Sequence, residues 1–432
     1  MSQIAINNRP FWQRIPLYLQ IAIALILGLI LGVALGAGQP NPANVASINH
    51  LVIPCNLVLK ALRALATPLI LLAVLHSFLT ANIPGRSGRR LAVLLFTNTT
   101  VAILIGLLVA NILQPGKWGI FAAPTETSET KAFDPWGLLQ DMVPEAVLKP
   151  LVDNNVLQLI FLALAFGIVL RGLKQQQIEQ GKTAYVAIED AIAMLFEAVI
   201  RILHWIIALV PIAVFGIVAR TVALQGFAPF KSLGAFIIAV LVALVLQACY
   251  YLVRVYFGSW VSPQRFLSGG SDALLTAFST ASSTATMPIT FEALLEKIGL
   301  RESSASLGAL VGSNFNNDGT ALYEAMSALF VAQLLGLNLA LPQQFIVILT
   351  AIFASVGAAG IPEAGLVTMT LVFTAVGLPT QYIALLITVD WFLDRCRTAI
   401  NVMGDMTVSC LLDGKNRQPQ LSGIEPSDEN LS

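Results

Sequence analysis

The chain has 432 residues, of which 56% are hydrophobic and only 11% are charged. Soluble domains carry about 25% charged residues, so this composition excludes an ordinary soluble protein and indicates one that crosses a membrane several times. Its 24 basic and 24 acidic residues give a net charge of zero, so the composition gives no case for a nucleic-acid partner.

Six long apolar runs fill the first part of the chain, and the first is long enough to cross a bilayer, which takes about 20 residues. The first is expected to be a retained helix rather than a signal peptide. The runs lie near 15–37, 51–80, 91–113, 156–173, 184–221 and 229–258.

The distribution of basic residues between these runs predicts their orientation, because short cytoplasmic loops are enriched in Lys and Arg. Arg9 and Arg14 precede the first run, and "PGRSGRR" at 84–90 follows the second. The loop at 116–135 is instead rich in Pro, Thr and Glu and is predicted to lie outside. We therefore expect a multi-pass protein of the cell (inner) membrane with both termini in the cytoplasm.

Beyond residue 265 the segments become shorter and richer in Gly, Ser, Thr and Pro. Residues 271–298 are predicted to form two half-helices around the tip "STASSTATMP", and residues 342–377 repeat this design around a Gly/Pro tip. Each arm has about 12 residues, too few to cross a core of about 30 Å, so both segments are predicted to be re-entrant hairpins. Such breaks are tolerated only inside protein or beside a wet cavity, and secondary transporters place their sites at them.

The last predicted span carries five formal charges within residues 390–405. Each costs roughly 2.5–3.5 kcal/mol at the centre of a bilayer on insertion scales. Its polar positions are spaced 4, 3, 4 and 4 residues apart, which places them on one helical stripe roughly 80° wide. The stripe is either an internal ion-pair ladder or a set of ligands facing a cavity, and the nearby breaks favour the cavity. These positions are Asp390, Asp394, Arg397, Asn401 and Asp405.

The segment "NFNNDGT" at 314–320 interrupts the span between the two predicted hairpins. Asn, Asp and Gly are poor residues for a helix interior, and an unwound turn offers main-chain and side-chain oxygens that suit a small hard cation. A simple kink is the alternative. Glu324, one turn after Thr320, is predicted either to carry a proton or to be held by an arginine.

Four segments in this order resemble the dicarboxylate/amino acid:cation symporter family, which includes the excitatory amino-acid (glutamate) transporters and archaeal aspartate-transporting relatives. The resemblance covers nearly the whole chain. It implies an all-α polytopic membrane protein with eight transmembrane helices, two re-entrant hairpins and inverted repeats. It also implies a homotrimer that works as an elevator, with no enzyme activity and no covalent cofactor. The segments are "ASSTATMPIT", "NNDGTALYEA", "ASVGAAGIPEAG" and "DWFLDRCRTAINVMGD".

The resemblance divides the chain into scaffold and transport parts. It implies the N-terminus and scaffold helices 1–2 at 1–84, transport-domain helix 3 at 85–115, scaffold helices 4–5 at 116–225, transport-domain helix 6 at 226–265, re-entrant hairpin 1 at 266–300, unwound helix 7 at 301–340, re-entrant hairpin 2 at 341–378, helix 8 at 379–412 and a cytoplasmic tail at 413–432.

The resemblance also implies a site for an acidic amino acid. Arg397 would pair with the side-chain carboxylate of the substrate, for which its planar fork is suited, and Asp394 would take the ammonium group. Because neutral amino-acid exchangers of the family lack this arginine, its presence predicts aspartate or glutamate. The other implied contacts are Ser283, Thr320, Thr398 and Asn401 around the substrate, with Ile361 and Gly365 as a lid.

The implied sodium ligands are only partly present. Asn316, Asp318, Asn401 and Asp405 match the family pattern, which implies sodium as a coupling ion. Asn317 stands where the family has Met, and the positions of a second site, with a Tyr and a Thr-Ser or Thr-Thr pair in the family, are Leu95, Asn98 and Thr99 here.

These departures predict weakened or lost sodium coupling. An Asn oxygen can bind a cation, but its N–H groups are donors that repel one, so Asn98 and Asn317 are candidates to fill an abandoned site. Glu324 and Glu363 are then the candidate proton carriers, and together with Arg395 they are the candidates for proton or potassium coupling. Arg395 lies on the last span, as in animal members of the family, whereas archaeal members have their arginine at the first hairpin tip. The lack of a long glycosylated insertion favours a prokaryotic chain.

Four alternatives stay open at this stage. The chain is a sodium-coupled acidic amino-acid symporter, a C4-dicarboxylate carrier, a protein that mainly conducts anions, or an intramembrane aspartyl protease. Asp394 disfavours the dicarboxylate carrier because a dicarboxylate has no ammonium group to meet it. A protease needs two facing Asp residues, whereas these share a helix with Arg397 and Asn401.

Overall fold

The computed structural model describes residues 15–80, 85–119, 143–153, 155–356, 360 and 364–417. All regular elements in these residues are helical, which confirms the predicted all-α class for this part of the chain. The α-helices are α1 (Leu17–Ala34), α2 (Val45–His50), α3 (Ile53–Thr80), α4 (Gly85–Leu113), α5 (Lys149–Asp153), α6 (Val156–Glu179), α7 (Ala184–Ile207), α8 (Val210–Gln225), α9 (Ala228–Gly258), α10 (Pro263–Thr280), α11 (Ser283–Glu292), α12 (Glu302–Ala305), α13 (Gly312–Phe315), α14 (Asp318–Leu334), α15 (Leu341–Val356), α16 (Ala364–Ala375) and α17 (Ile383–Asp413).

Shorter helical turns join some of these helices. The 3₁₀ turns are Pro42–Asn44, Pro115–Trp118 and Thr380–Tyr382, and the π-helical turns are Ala293–Ile298 and Ser306–Val311.

Five helical segments of the described chain are long and apolar enough to cross a membrane. The run predicted at 184–221 forms two helices, which meet at Ala208 and Leu209. The predicted total of eight spans stays a prediction. The five segments are Leu17–Ala34, Pro42–Thr80, Gly88–Trp118, Ala184–Gln225 and Ala228–Gly258.

The helices pack in two groups. In the first, α1 lies against α8, and α3 lies against α6 and α7. In the second, α9 and α10 pack against α17, and α14 packs against both α4 and α17. The polar second half of the chain is thus assembled around α14 and α17, where most of the predicted site residues lie.

Small residues allow α1 and α8 to approach closely, as is common between membrane helices. A Cβ atom added to Gly32 would lie 2.6 Å from the Cβ of Val222, and one added to Gly28 would lie 2.8 Å from the main-chain oxygen of Phe215. The close approach therefore depends on both glycines.

Two pairs of helices, α10–α11 and α15–α16, occupy the positions predicted for hairpins. The first arms have 18 and 16 residues and are longer than the expected 12 or so. α10 extends back to Pro263 because Ser262 caps it, its hydroxyl accepting from the amide of Arg265 at 3.2 Å. The residues after Pro263 are polar, so hydropathy alone did not include them. Whether either pair re-enters the membrane stays a prediction.

The helix between these pairs is interrupted at Asn316 and Asn317, where the sequence predicted a break. Both residues have non-helical backbone angles, and α14 starts at Asp318. The interruption places the polar atoms of this segment against α17 rather than leaving them within a helical ladder.

Candidate functional site

A small polar cavity lies where the turn between α10 and α11, the interruption before α14, the start of α16 and the middle of α17 meet. The volume of this cavity is about 10 Å³, which leaves room for about one water molecule. Entry of a larger solute therefore requires the surrounding segments to move apart. Seven of the predicted site residues line it: Ser283, Asn317, Thr320, Gly365, Asp394, Thr398 and Asn401.

Gly360, between α15 and α16, closes the cavity against the turn of the first helix pair. Its carbonyl oxygen accepts hydrogen bonds from the Ser282 hydroxyl at 2.9 Å and from the Thr284 amide at 3.2 Å. Its φ is +58°, and a Cβ atom at this position would lie 2.6 Å from the Ser283 hydroxyl oxygen. Only glycine fits here without displacing the two tips.

The guanidinium of Arg397 is fully buried beside the cavity. Its Nη2 donates to Asp394 Oδ1 at 2.7 Å, and its Nη1 lies 3.0 Å from Asp390 Oδ1. The group also stacks over the ring of Tyr323, with 4.0 Å between the guanidinium carbon and the ring centroid. Nε and Nη1 donate no well-aligned hydrogen bond to any described residue, so they offer donors to a further carboxylate.

Gly365 lies directly against this arginine. A Cβ atom at position 365 would lie 3.2 Å from Arg397 Nη2. Ile361 and Glu363, the other residues predicted for the lid, lie outside the described residues.

The first predicted proton carrier, Glu324, is fully buried on α14. Its Oε1 accepts from the hydroxyl of Thr368 on α16, whereas Oε2 has no hydrogen-bond partner among the described residues. Glu324 also interacts electrostatically with Arg397.

Arg395 faces away from the cavity lining. It donates to the carbonyl oxygens of Phe278, at 3.1 Å, and Ser279, at the end of α10. Its guanidinium also lies 5.1 Å from the ring centroid of Tyr18 on α1. This places it as a link between α17, the first helix pair and α1.

Asn316, Asn401 and Asp405 form one oxygen-rich centre beside the cavity, which Asn401 also lines. The Asn316 amide donates to Asp405 Oδ1 at 3.0 Å and to the Asn401 main-chain oxygen at 3.2 Å. The Asn316 side-chain oxygen is buried and has no partner among the described residues. An orphaned oxygen beside a carboxylate and a carbonyl fits a small hard cation such as sodium.

The interrupted segment is held to α17 through the side chain of Asn401. Its Oδ1 accepts from the Gly319 amide at 2.8 Å, and its Nδ2 donates to Thr320 Oγ1 at 3.3 Å and to Asn317 Oδ1 at 3.4 Å. Asn317 in turn donates to the Ser355 carbonyl at 2.9 Å. The Asn at position 317 thus links α14, α15 and α17 through hydrogen bonds.

Asn98, Thr99 and Asp318 lie in a second centre, between α4, α9 and the start of α14. Thr99 donates to Asp318 Oδ1 at 2.6 Å, and Tyr251 on α9 donates to Asp318 Oδ2. The Asn98 oxygen accepts from Arg254. In the described part of the chain no three His, Cys, Asp or Glu side chains cluster as metal ligands, so any cation here depends on amide, hydroxyl and main-chain oxygens.

Sequence reasoning did not assign roles to several of these neighbours. Arg254 could have been predicted to have a role, since a charged residue in an apolar run is costly and often functional. Nothing in the sequence distinguished Tyr251 and Tyr323, because aromatic residues are common in membrane helices. Asp390 was placed on the polar stripe but given no role at the site.

Comparison with protein families matches residues 17–415 to the sodium:dicarboxylate symporter family. The chain belongs to this family. Excitatory amino acid transporter 4 of Mus musculus is 32% identical to it, over 94% of the chain and 84% of the relative. Excitatory amino acid transporter 3 of Mus musculus is 31% identical, over 96% and 88%. Excitatory amino acid transporter 1 of Ambystoma tigrinum is 32% identical, over 86% and 78%.

Membership in the sodium:dicarboxylate symporter family makes the chain a transporter rather than an enzyme, and its apolar helices accord with a multi-pass membrane protein. The family name implies sodium as a coupling ion. The predicted resemblance is thereby confirmed.

Proposed function

We propose that this protein is a secondary active transporter of acidic amino acids, with aspartate or glutamate as substrate. The observation that carries the proposal is the buried guanidinium of Arg397, paired with Asp394 at a small polar cavity. The names of its relatives, excitatory amino acid transporters, support the same substrate class.

The substrate is held by opposite charges. Arg397 binds the side-chain carboxylate through a bidentate pair, which is stronger and more directional than a neutral hydrogen bond, and Asp394 binds the ammonium group. The remaining contacts are the Ser283 hydroxyl with the α-carboxylate, and Thr320, Thr398 and Asn401 with the polar edges of the substrate.

Release and capture require the two tips that meet at Gly360 to separate. We propose that Gly365, with Ile361 beyond the described residues, belongs to the lid, and that the group around α14 and α17 moves as an elevator against the group around α1, α3 and α8. Eight spans, two re-entrant hairpins, inverted repeats, a homotrimer, and cytoplasmic termini in the cell (inner) membrane complete the proposed architecture.

Cation coupling follows from the charge around the cavity. Among the described residues five buried carboxylates around the cavity outnumber the buried Arg397 and the half-buried Arg254, so an anionic substrate needs a proton or metal cation to accompany it. Sodium, if retained, is held by Asn316, Asn401 and Asp405. We propose that sodium coupling is weakened and that Glu324, or Glu363, carries a proton. The carboxylates are Asp318, Glu324, Asp390, Asp394 and Asp405.

The test is uptake of labelled aspartate and glutamate by proteoliposomes under sodium, potassium and proton gradients imposed one at a time. We expect concentrative uptake under a proton gradient without sodium. Uptake that strictly requires sodium refutes the proposed coupling but retains the substrate class. Absence of uptake under all three gradients refutes the substrate class as well.

A second candidate substrate is a C4-dicarboxylate, because the matched family is named for dicarboxylates. Asp394 disfavours it, since a buried carboxylate facing a second anion raises the free energy of binding. Competition of unlabelled succinate against labelled aspartate decides between them, and we expect succinate to compete weakly.

A further inference from the structure

Arg254 is a half-buried charge within the apolar helix α9. It donates to the Asn98 side-chain oxygen, and its Nη1 lies 3.3 Å from the Tyr250 hydroxyl oxygen. Its guanidinium carbon lies 5.7 Å from the centroid of the Tyr250 ring. An arginine keeps its charge under all ordinary conditions, so this position is a permanent cation.

Asp318 is the fully buried carboxylate next to this cation. Thr99, which donates to Asp318 Oδ1 at 2.6 Å, directly follows Asn98 on α4. Tyr251, which donates to Asp318 Oδ2, directly follows Tyr250 on α9. Two pairs of consecutive residues therefore join Arg254 and Asp318 into one network, and the two charges interact electrostatically.

Sodium fits this centre poorly. The oxygen that Asn98 offers is already taken by a donor that cannot become an acceptor. Leu95, one turn earlier on α4, has no oxygen in its side chain and packs against the small apolar cluster of Leu91 and Val408. A buried carboxylate still needs a compensating charge, and the nearby guanidinium supplies one.

We propose that Arg254 is a tethered cation that compensates Asp318 in place of a mobile sodium ion. The centre of Asn98, Thr99 and Asp318 is then permanently occupied, and the start of α14 is held in one arrangement whatever the surrounding cations. The consequence for transport, one fewer coupling cation, rests on the proposed function. The occupation of the centre itself does not.

The principal variant is Arg254→Gln, which keeps a donor for Asn98 but removes the charge. The measurement is the thermal unfolding midpoint of purified protein during titration with sodium or low, non-denaturing guanidinium, with choline keeping the ionic strength constant. We expect Arg254→Gln to unfold at a lower temperature than the wild type and to regain several degrees with either cation. Arg254→Lys, which keeps the charge, is the matched control and should respond to either cation no more than the wild type does.

A double variant, Arg254→Gln with Asp318→Asn, separates charge compensation from packing. With no carboxylate to compensate, it should lose the response to cations that Arg254→Gln gains. A purely structural role of Arg254 lowers the midpoint but leaves its dependence on cations the same as in the wild type, and that result refutes the inference.

The wild type provides an independent test of the inference if Arg254→Gln does not fold. Any sodium response of the wild type should come from Asn316, Asn401 and Asp405 and should persist in Asp318→Asn. A sodium response that Asp318→Asn abolishes shows that Asp318 binds sodium beside Arg254, and it refutes the inference. Failure of the wild type to take up labelled aspartate refutes the proposed function and leaves these midpoints unaffected.

Discussion

The guanidinium of Arg397 combines charge, planarity and a stacking surface at one buried position. Asp390, Asp394 and Tyr323 fix its plane from three sides. A lysine at this position keeps the charge but loses the fork and the face that stacks on the ring. We therefore expect the geometry of this group to matter for substrate affinity in addition to its charge.

We expect Arg397→Lys to weaken the binding of acidic substrates strongly. A hydrogen bond to a charged group contributes roughly 1.5–3 kcal/mol, so losing one arm of a bidentate pair raises the apparent KM for aspartate by roughly 10–100-fold. The measurement is the initial rate of labelled uptake against aspartate concentration. Arg201→Lys, on the exposed side of α7 where Arg201 pairs with Glu197, is the matched control. An unchanged KM in Arg397→Lys contradicts the proposed role.

A second residue-scale prediction concerns Glu324. Glu324→Gln keeps the size of the side chain and its bond to Thr368 but cannot exchange a proton. We expect its uptake to lose the dependence on a proton gradient, while exchange of internal for external aspartate continues because exchange needs no net proton movement. Uptake driven by a proton gradient in Glu324→Gln rules out this residue as the carrier and leaves Glu363 to be tested in the same way.

At the scale of elements, the contact between the two helix pairs depends on one glycine. We expect Gly360→Ala to hold the tips apart, because the added Cβ atom would lie 2.6 Å from both the Ser283 and Thr284 hydroxyl oxygens. Overpacking of this kind costs roughly 1–3 kcal/mol, so we expect about a tenfold or larger rise in the Kd for aspartate.

Gly377→Ala is the matched control for this variant. Gly377 also has a positive φ, +71°, but its added Cβ atom would meet no atom within 4 Å. The two variants thus share the backbone strain and differ only in the collision. Equal Kd values, measured by calorimetry in detergent, show that the tips need not meet for substrate to bind.

The position of the interrupted helix and the polar stripe of α17 could be predicted from the sequence, because both depend on local composition and helical spacing. Asn316 and Asn317 are poor helix formers, and Asp390, Asp394, Arg397, Asn401 and Asp405 are all buried on one helix. The pairing of Asn98 with Arg254 joins residues 156 positions apart, and no local pattern predicts it. The division between α7 and α8 was also missed, since hydropathy does not change where those helices meet.

At the scale of the whole molecule, polar contacts between the two helix groups have to break if one group moves. One such contact is the hydrogen bond from Arg63 Nη2 on α3 to Thr380 Oγ1, just before α17, at 2.7 Å. The Arg63 side chain is exposed and Thr380 is half-buried. We expect a covalent link at this position to stop transport without stopping substrate binding, because binding requires only the cavity to open locally.

The test is the double variant Arg63→Cys with Thr380→Cys, made in a chain whose four native cysteines are replaced by alanine, and treated with a bifunctional maleimide. Uptake of labelled aspartate should fall to background, while its binding in detergent persists. Asn111→Cys with Gln344→Cys is the matched control, since these residues are hydrogen-bonded at 2.9 Å and join α4 to α15, which packs against α4 and α14 of the second group. Linking residues 111 and 344 should leave the uptake of labelled aspartate unchanged. Undiminished uptake after complete linking of residues 63 and 380 shows that α3 and α17 keep their relative position during transport, which contradicts the elevator movement.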